Sequence, residues 1–309
     1  MTRLVKTALL AAVCGLVALV LIGVFLGGGQ GNQAGEKQET NQYGPRTFTS
    51  DIPVGVTVVL QEGGQRRKKV LGKTLSASPL SVPECLMWMI TPLDEPEKVE
   101  WEKIMNLSRR KEIPGLAMPT WGGDEDLSRM GKLNHIRYLD LAGSKITDSG
   151  LAHLKGMGQL RGLSLLKTGI TGKGLRHLKG LTHLRRLNVN LTELTDRAMR
   201  HFENLGQLQT LALSGTSITH DGVAHLQKLE KLRRLDLIRT DVTDKALAHL
   251  PGLSQLRALR LSGTEITDAG MRHLTGLENL RKLGLVKTDV TGKGVAQLQD
   301  LKNLRTITI

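Results

Sequence analysis

Six histidines recur every 24 residues, and imidazole chemistry is the first function to consider for them. Because imidazole titrates near neutral pH and binds divalent metals, such a column could be a pH-sensitive element or a set of metal ligands. The structural interpretation is that each ring covers a neighbouring leucine at the edge of the core. We favour the structural interpretation, because helices of successive repeats are usually too far apart to share a metal. The members of the column are His153, His177, His201, His225, His249 and His273.

A column of arginines follows the same interval, with Gln209 in place of one member. One interpretation is a solvated edge where the aliphatic stems cover leucines. The other is a docking strip for anionic partners. The members are Arg137, Arg161, Arg185, Arg233, Arg257, Arg281 and Arg305.

Catalytic and cofactor motifs are missing from the sequence. Residues 64–74 end in Gly-Lys-Thr like a phosphate-binding loop, but that loop needs a glycine where Arg67 stands. The nucleophile-elbow and zinc-protease patterns are absent, and Cys14 and Cys85 form neither a disulfide framework nor a zinc motif. We therefore predict a protein that is not an enzyme and holds no cofactor or metal.

The elements that must position these columns are themselves repeats of 24 residues without insertions. An L-x-L pair in each repeat predicts a short strand with both leucines on one face, from Leu139/Leu141 to Ile307/Ile309. An apolar residue, threonine and then aspartate, glycine or histidine lead into a short helix, whose N-terminal position suits an aspartate. Fixed periodicity of this kind predicts a stacked array. The helix-leading motifs begin at Ile146, Ile170, Leu194, Ile218, Val242, Ile266 and Val290.

This pattern, L-x-x-L-x-L-x-x-T-x-I-T-D-x-G-L, resembles the leucine-rich-repeat family in its 24-residue bacterial form and is similar to the repeats of F-box adaptors. The resemblance implies an α/β fold: a right-handed solenoid with a concave parallel sheet, convex short helices and a binding role. Threonine or serine stands where many members carry Asn or Cys after the strand, as at Ser144 and Thr168. A hydroxyl can satisfy the same turn.

The positions between the strand leucines point away from the core and define what we call the open face of the sheet. They vary while the leucines do not, as a binding surface allows. The resemblance makes this face the concave one and the usual place for a ligand. The predicted ligand-binding residues are Tyr138, Asp140, Arg186, Asn188, Arg234, Asp236, Arg260 and Lys282.

Positive charge is concentrated in the repeats. The chain has a net charge of +14, and residues 137–309 hold 27 Lys and Arg against 15 Asp and Glu. This favours an acidic protein or an anionic envelope polymer as the partner. Aromatics make up only 3% of residues, so the bases of a nucleic acid would find few side chains to stack on. We predict no nucleic-acid partner.

The N-terminus carries a membrane signal. Residues 7–26 are uncharged and follow Arg3 and Lys6, which predicts a single transmembrane helix with the remaining chain outside the cytoplasm. The alternative is a cleaved signal and a secreted or periplasmic protein. Polar residues 27–52 predict a flexible linker.

Three further segments complete the predicted organisation. Residues 53–94 form a small unassigned region, for which a β-hairpin is one interpretation. Residues 95–126 form the N-terminal cap of the solenoid, in which Leu116 and Met118 fall one residue off the strand register. Residues 127–309 form seven units and a final strand.

The leading functional hypothesis is a membrane-tethered binding module for an acidic protein or anionic envelope polymer. The alternative is a structural envelope scaffold that self-associates through its C-terminal strand edge at 306–309. A ubiquitin-ligase adaptor or secreted effector is suggested only by repeat similarity, and the anchor argues against it.

Overall fold

The computed structural model describes residues 43–62, 65–74, 80–83, 85 and 87–309. The chain divides into two compact units, 1–90 and 91–309. Within the described ranges, no helix combines the length and apolar character needed to cross a bilayer. The predicted transmembrane segment 7–26 and linker residues 27–42 lie outside those ranges.

The described part of the first unit is built from strands: β1 (Arg46–Phe48), β2 (Val54–Glu62), β3 (Gln65–Thr74), β4 (Leu80–Val82) and β5 (Met87–Pro92). β2 and β3 pair from Val54 opposite Thr74 to Glu62 opposite Gln65, which is the hairpin that the sequence predicted. β1 pairs with β4, and β5 lies beside β2.

The predicted linker, 27–52, was wrong at its C-terminal end, because residues 46–48 form β1. Phe48 is only 2% exposed, and its ring meets Trp88 edge-on with centroids 5.4 Å apart. The Arg46 guanidinium lies 5.6 Å from the Trp88 ring centroid. One aromatic pair therefore anchors a stretch whose overall composition is that of a linker.

The second unit opens with a 3-10 turn at Pro96–Lys98 and helix α1 (Trp101–Arg110), which buries Trp101, Ile104 and Leu107. Strand β6 (Gly115–Ala117) and helix α2 (Asp124–Met130) follow. Leu116 of β6 pairs opposite Leu139, an interval one residue shorter than the repeat. The segment that the sequence assigned to a cap thus contributes a strand to the parallel sheet, and its shorter interval explains the register offset.

In the described part of this unit, nine parallel strands lie in chain order, each hydrogen-bonded to the next. From β7 onward the register advances by one full repeat per strand without a slip, so the central leucines stack. The later strands are β7 (Tyr138–Asp140), β8 (Gly162–Ser164), β9 (Arg186–Asn188), β10 (Thr210–Ala212), β11 (Arg234–Asp236), β12 (Ala258–Arg260), β13 (Lys282–Gly284) and β14 (Thr306–Thr308).

Short helices return the chain from one strand to the next. They are α3 (Asp196–Met199), α4 (His220–Ala224), α5 (Asp244–Leu247) and α6 (Gly292–Ala296), with 3-10 turns at Gly150–Gly156, Gly174–Gly180, Arg200–Phe202, His225–Lys228 and Asp268–Leu274. The leucines between helices and sheet are almost all fully buried. Each contributes about 1.5–3 kcal/mol of burial free energy, which only stacked neighbours make available.

Aspartates at the start of the helices join successive units. In each case Oδ1 accepts from the backbone N–H of the threonine that leads into the next helix, at 2.7–2.9 Å, and Oδ2 accepts from its hydroxyl. We call these the Asp–Thr contacts. The sequence predicted the helix-start position of the aspartates but not this bond to the next unit. The pairs are Asp124–Thr147, Asp148–Thr171, Asp196–Thr219, Asp244–Thr267 and Asp268–Thr291.

A small residue in the following unit, just beyond that unit's helix start, makes room for the contact. A Cβ at Gly222 would lie 2.3 Å from Oδ1 of Asp196, and the equivalent glycines are as tightly constrained. Gly172 and His220 replace the aspartate in two units, and there Ala198 and Ala246 replace the glycine. The identity of the small residue therefore follows the presence of the carboxylate.

The turn after each strand needs a left-handed residue. Gly143, Gly215 and Gly263 take φ of 67–70° there, whereas Lys167 adopts φ of 53° at the equivalent position. Lysine lacks glycine's freedom in this region, so its turn is strained.

Candidate binding surface on the open face of the sheet

The strand register arranges the open face in two rows, one residue per strand. The first row reads Tyr138, Gly162, Arg186, Thr210, Arg234, Ala258, Lys282 and Thr306. The second reads Asp140, Ser164, Asn188, Ala212, Asp236, Arg260, Gly284 and Thr308. All eight residues predicted for the site therefore lie on one face of one sheet.

Cations occupy every second strand of the first row from β9 to β13. Arg186, Arg234 and Lys282 alternate with Thr210 and Ala258. Since adjacent strands are about 4.8 Å apart, neighbouring cations are about 9.6 Å apart along the row. Burial lowers the pKa of Lys282, and the positive charges of Arg234 and Arg260 lower it further. The row places positive charges close together, and an anionic ligand would offset the repulsion between them.

Asp236 lies within this cationic region and is fully buried. Its Oδ1 is 3.6 Å from Nε of Arg260, whose side chain is 30% exposed. Neither carboxylate oxygen accepts a hydrogen bond from any part of the chain that the structure describes. Burial raises the pKa of Asp236, while Arg260 and then Arg234 oppose the shift. A buried carboxylate with an ion-pair neighbour but no hydrogen bond is costly to keep.

Two buried amides flank the same part of the sheet. The backbone N–H of Asn190 donates to Oδ1 of Asn188 at 3.0 Å, and that of Ser214 donates to Oδ1 of Asn190 at 2.6 Å. These bonds fix which end of each amide is oxygen. Both Nδ2 groups remain buried without an acceptor among the described residues. Buried polar groups rarely stay unsatisfied, so this cluster is unusual within the sheet.

Sequence reasoning missed Asn190 because it follows the strand by two residues, outside the L-x-L window. It placed Asn188 and Asp236 on the open face but did not predict that both are fully buried there. Strand alternation gives the face on which a side chain lies, but crowding by neighbouring rows decides its exposure. A polar residue at position 190, where Leu166 stands one unit earlier, was the available signal.

Tyr138 and Asp140 lie apart from the cationic cluster. They are on β7, separated from β9 by Gly162 and Ser164 of β8. Oδ1 of Asp140 accepts from the N–H of Ala142 at 3.2 Å, which closes the local turn. The predicted set thus divides into an arginine- and lysine-bearing group on β9–β13 and this pair.

The stacked strands and short helices are those of a known repeat family. A family profile described as Leucine Rich repeat matches residues 132–154 and 253–274. The chain is a leucine-rich-repeat protein. No curated protein matches it in sequence.

Among solved structures, this leucine-rich-repeat protein is similar to an internalin of Listeria monocytogenes, at 22% identity and a TM-score of 0.55. The match covers 67% of this chain and 57% of that one, so the chain spans little more than half of the internalin's length. Internalin C2 of Listeria monocytogenes matches at 27% identity and a TM-score of 0.55, covering 68% of this chain and 84% of that one. These likenesses support the repeat fold.

The histidine column of the leucine-rich-repeat protein makes contacts between units. Nδ1 of His225 lies 2.8 Å from Oε1 of Glu203, and Nδ1 of His249 lies 2.8 Å from the Gln227 amide. Burial lowers the pKa of His201, helped by Arg200 and Arg176. No cluster of three potential metal ligands occurs among the described residues. These contacts give His225 and His249 a structural role in stacking.

The arginine column follows the edge of the sheet. Its backbone forms part of the ladder, as where the N–H of Arg161 donates to the carbonyl of Arg137 at 2.7 Å and that of Arg305 to the carbonyl of Arg281 at 2.9 Å. In each strand, the member of the column therefore directly precedes the residue of the first row.

Proposed function

We propose that this protein is a membrane-tethered binding module that captures an acidic protein on the open face of its sheet. A protein-binding role agrees with the leucine-rich repeats and the parallel sheet. The observation that carries the proposal is the row Arg186, Arg234 and Lys282, with Arg260 beside it. Because these cations share one face, an acidic surface would meet several of them at once.

The electrostatics of the face favour an anionic partner. Asp236 is the acidic residue within the cluster, and it is buried beside Arg260. Its charge is therefore partly offset before a ligand arrives. The lowered pKa of Lys282 reflects burial and the unfavourable crowding of cations, and a partner carboxylate would oppose that effect.

The proposed function includes a membrane tether at the N-terminus. Residues 7–26 are apolar and follow Arg3 and Lys6, which supports a membrane anchor with the repeats outside the cytoplasm. With a cleaved signal the repeats would reach the same side of the membrane. An extracytoplasmic solenoid on a polar linker would present its open face to neighbouring envelope proteins.

The test is retention of the full chain, purified in detergent, on immobilised poly-L-glutamate over a salt series. We expect retention at low salt and release as salt screens the charges. The double variant Arg234→Gln/Lys282→Gln should elute at clearly lower salt. The matched control, Lys179→Gln/Lys245→Gln, makes the same charge change at exposed positions on the helical side and should elute like the wild type.

Two outcomes would overturn the proposal. If both double variants elute alike, net charge rather than the open face determines retention. If the chain binds immobilised dextran sulfate but not poly-L-glutamate, an anionic envelope polymer is the better partner. Sedimentation of the chain without ligand tests the scaffold alternative. Oligomers in the absence of any ligand would support self-association through β14.

A further inference from the structure

We propose that the open face takes a particular backbone conformation of its partner: a polyproline II segment with an acidic residue at every third position. This inference rests on the proposed function and specifies the partner. Two independent features of the structure support it, the spacing of the cations and the unsatisfied amides beside them.

The cation spacing matches one turn of polyproline II. Arg186, Arg234 and Lys282 lie two strands apart, or about 9.6 Å. A polyproline II helix has three residues per turn and rises about 3.1 Å per residue, so every third side chain lies on one face about 9.3 Å from the last. Thr210 and Ala258, on the intervening strands, are small enough to leave room for the peptide.

Other conformations match the spacing less well. In a β-strand, residues on one face are about 6.6 Å apart, and every third residue points to the opposite face. On an α-helix, the repeat at seven residues rises about 10.5 Å, which approaches the cation spacing. Polyproline II and the α-helix are therefore the two conformations that fit the cation spacing. They differ in whether their backbone carbonyls can accept hydrogen bonds from the protein.

The unsatisfied amides decide between those candidates. The Nδ2 groups of Asn188 and Asn190 need acceptors, and backbone bonds at their Oδ1 atoms hold both amides in orientation. An α-helix uses its carbonyls internally, whereas a polyproline II backbone makes no internal hydrogen bonds. Its carbonyls are thus free to accept from the two amides while its acidic side chains pair with the row.

Access to the amides requires movement of neighbouring side chains. Arg186 is 9% exposed and lies on the same strand and face as the fully buried Asn188. Only side chains of the open face can cover Asn188 from that side. Pairing of the arginine with a partner carboxylate would draw its flexible side chain outward and uncover the amide, so charge pairing and hydrogen bonding act together.

The experiment compares two fluorescent peptides of identical composition with the full chain in detergent. One repeats Glu-Pro-Pro, and the other has its glutamates contiguous followed by the prolines. Both favour polyproline II and carry the same charge, so only the spacing of the acids differs. We expect the repeating peptide to bind at least ten-fold more tightly at low salt. Arg234→Gln should remove most of that preference, while Lys245→Gln should leave it intact.

Each outcome is decisive. Equal affinities would overturn the polyproline II assignment but leave the proposed function standing, since both peptides would still bind the open face. If neither peptide binds while poly-L-glutamate retains the chain, the assignment again fails alone. If poly-L-glutamate also fails to retain it, the proposed function fails with it. Thermal unfolding of the variants shows whether the fold is kept.

Discussion

The Asp–Thr contacts and the open face use polar side chains in opposite ways. On the helical side, each contact aspartate receives at least two hydrogen bonds from the next unit, and the arrangement recurs along the array. On the open face and just after β9, Asn188, Asn190 and Asp236 differ from their equivalents in most other units and leave buried atoms unsatisfied. Both sets are placed by the same repeating register.

This difference separates polar residues that hold units together from those available to a ligand. A satisfied, recurring contact stabilises stacking and offers nothing to a partner. An unsatisfied, unrepeated group costs stability in the free protein and can recover that cost on binding. Polar residues of a repeat protein can thus be sorted by recurrence and by hydrogen-bond satisfaction.

The largest effect on stability is expected where a side chain is added beside an Asp–Thr contact. Gly222→Ala places a Cβ 2.3 Å from Oδ1 of Asp196 and 2.9 Å from Cγ2 of Ile218, so the carboxylate must leave Thr219. We expect a loss of about 2–3 kcal/mol in the free energy of unfolding, from overpacking and lost hydrogen bonds. Urea unfolding of the full chain measures it.

A compensating variant provides the control. Asp196→Gly combined with Gly222→Ala reproduces the natural pair Gly172 and Ala198. The double variant should be more stable than the sum of the single effects predicts, by about 1–2 kcal/mol of coupling. Additive effects would show that the glycine is not there to accommodate the carboxylate.

A smaller effect of opposite sign is expected on the open face. Asp236→Asn keeps the shape but removes a buried charge, while the partly exposed Arg260 remains hydrated. We expect a gain of about 1 kcal/mol in the free energy of unfolding at neutral pH. Chemical unfolding of the two chains in parallel would show it, and a less stable Asn variant would mean that the ion pair outweighs desolvation.

The pH dependence of that difference gives a second readout. The folded-state pKa of Asp236 is raised, so the charged carboxylate destabilises the fold at pH values above that pKa. As the pH falls below it, the folded wild-type residue becomes protonated and the penalty shrinks, until it is gone below the unfolded-state pKa. The advantage of Asp236→Asn should therefore be largest at pH values above the folded-state pKa of Asp236 and shrink as the pH is lowered through it.

The fold was most predictable where a rule applies to every unit. The L-x-L pairs located β7–β14 and the open face, because alternation and a fixed period leave one register that buries the leucines. Prediction failed at β6, whose interval to β7 falls short of the period, and at Phe48, where one aromatic contact overrides linker-like composition.

The candidate site was less predictable than the fold. Its residues could be assigned to a face, yet the burial of Asn188 and Asp236 depends on how long side chains of adjacent strands cover them. By contrast, the link between Asp196 and Gly222 was readable: Gly172 and His220 replace the aspartate, and alanine stands at the facing position of the next unit in both cases. This link is visible as a correlation between residue types in successive units, and a motif search within one unit does not reveal it.

The smallest effect is expected at the left-handed turn, which recurs in position but not in residue type. Lys167→Gly should raise the free energy of unfolding by up to about 0.5 kcal/mol, since relief of the φ of 53° exceeds the entropy cost of glycine. Gly143→Ala is the converse control, because its Cβ would meet nothing closer than 3.5 Å and tests conformation alone. It should cost about 1 kcal/mol. Thermal unfolding that ranks the pair otherwise would contradict this account.

The alternation of glycine and alanine beside the helix starts also limits how such an array can change in length by duplication. Removing the unit that contains Gly172 would place Ala198 against Asp148, whereas removing that unit and the next would place Gly222 there and keep the contact. In this part of the array, removing that pair of repeats keeps an aspartate facing a glycine, whereas removing only the unit that contains Gly172 does not. The same interval separates Arg186, Arg234 and Lys282, so each duplicated block would lengthen the row by one positive charge.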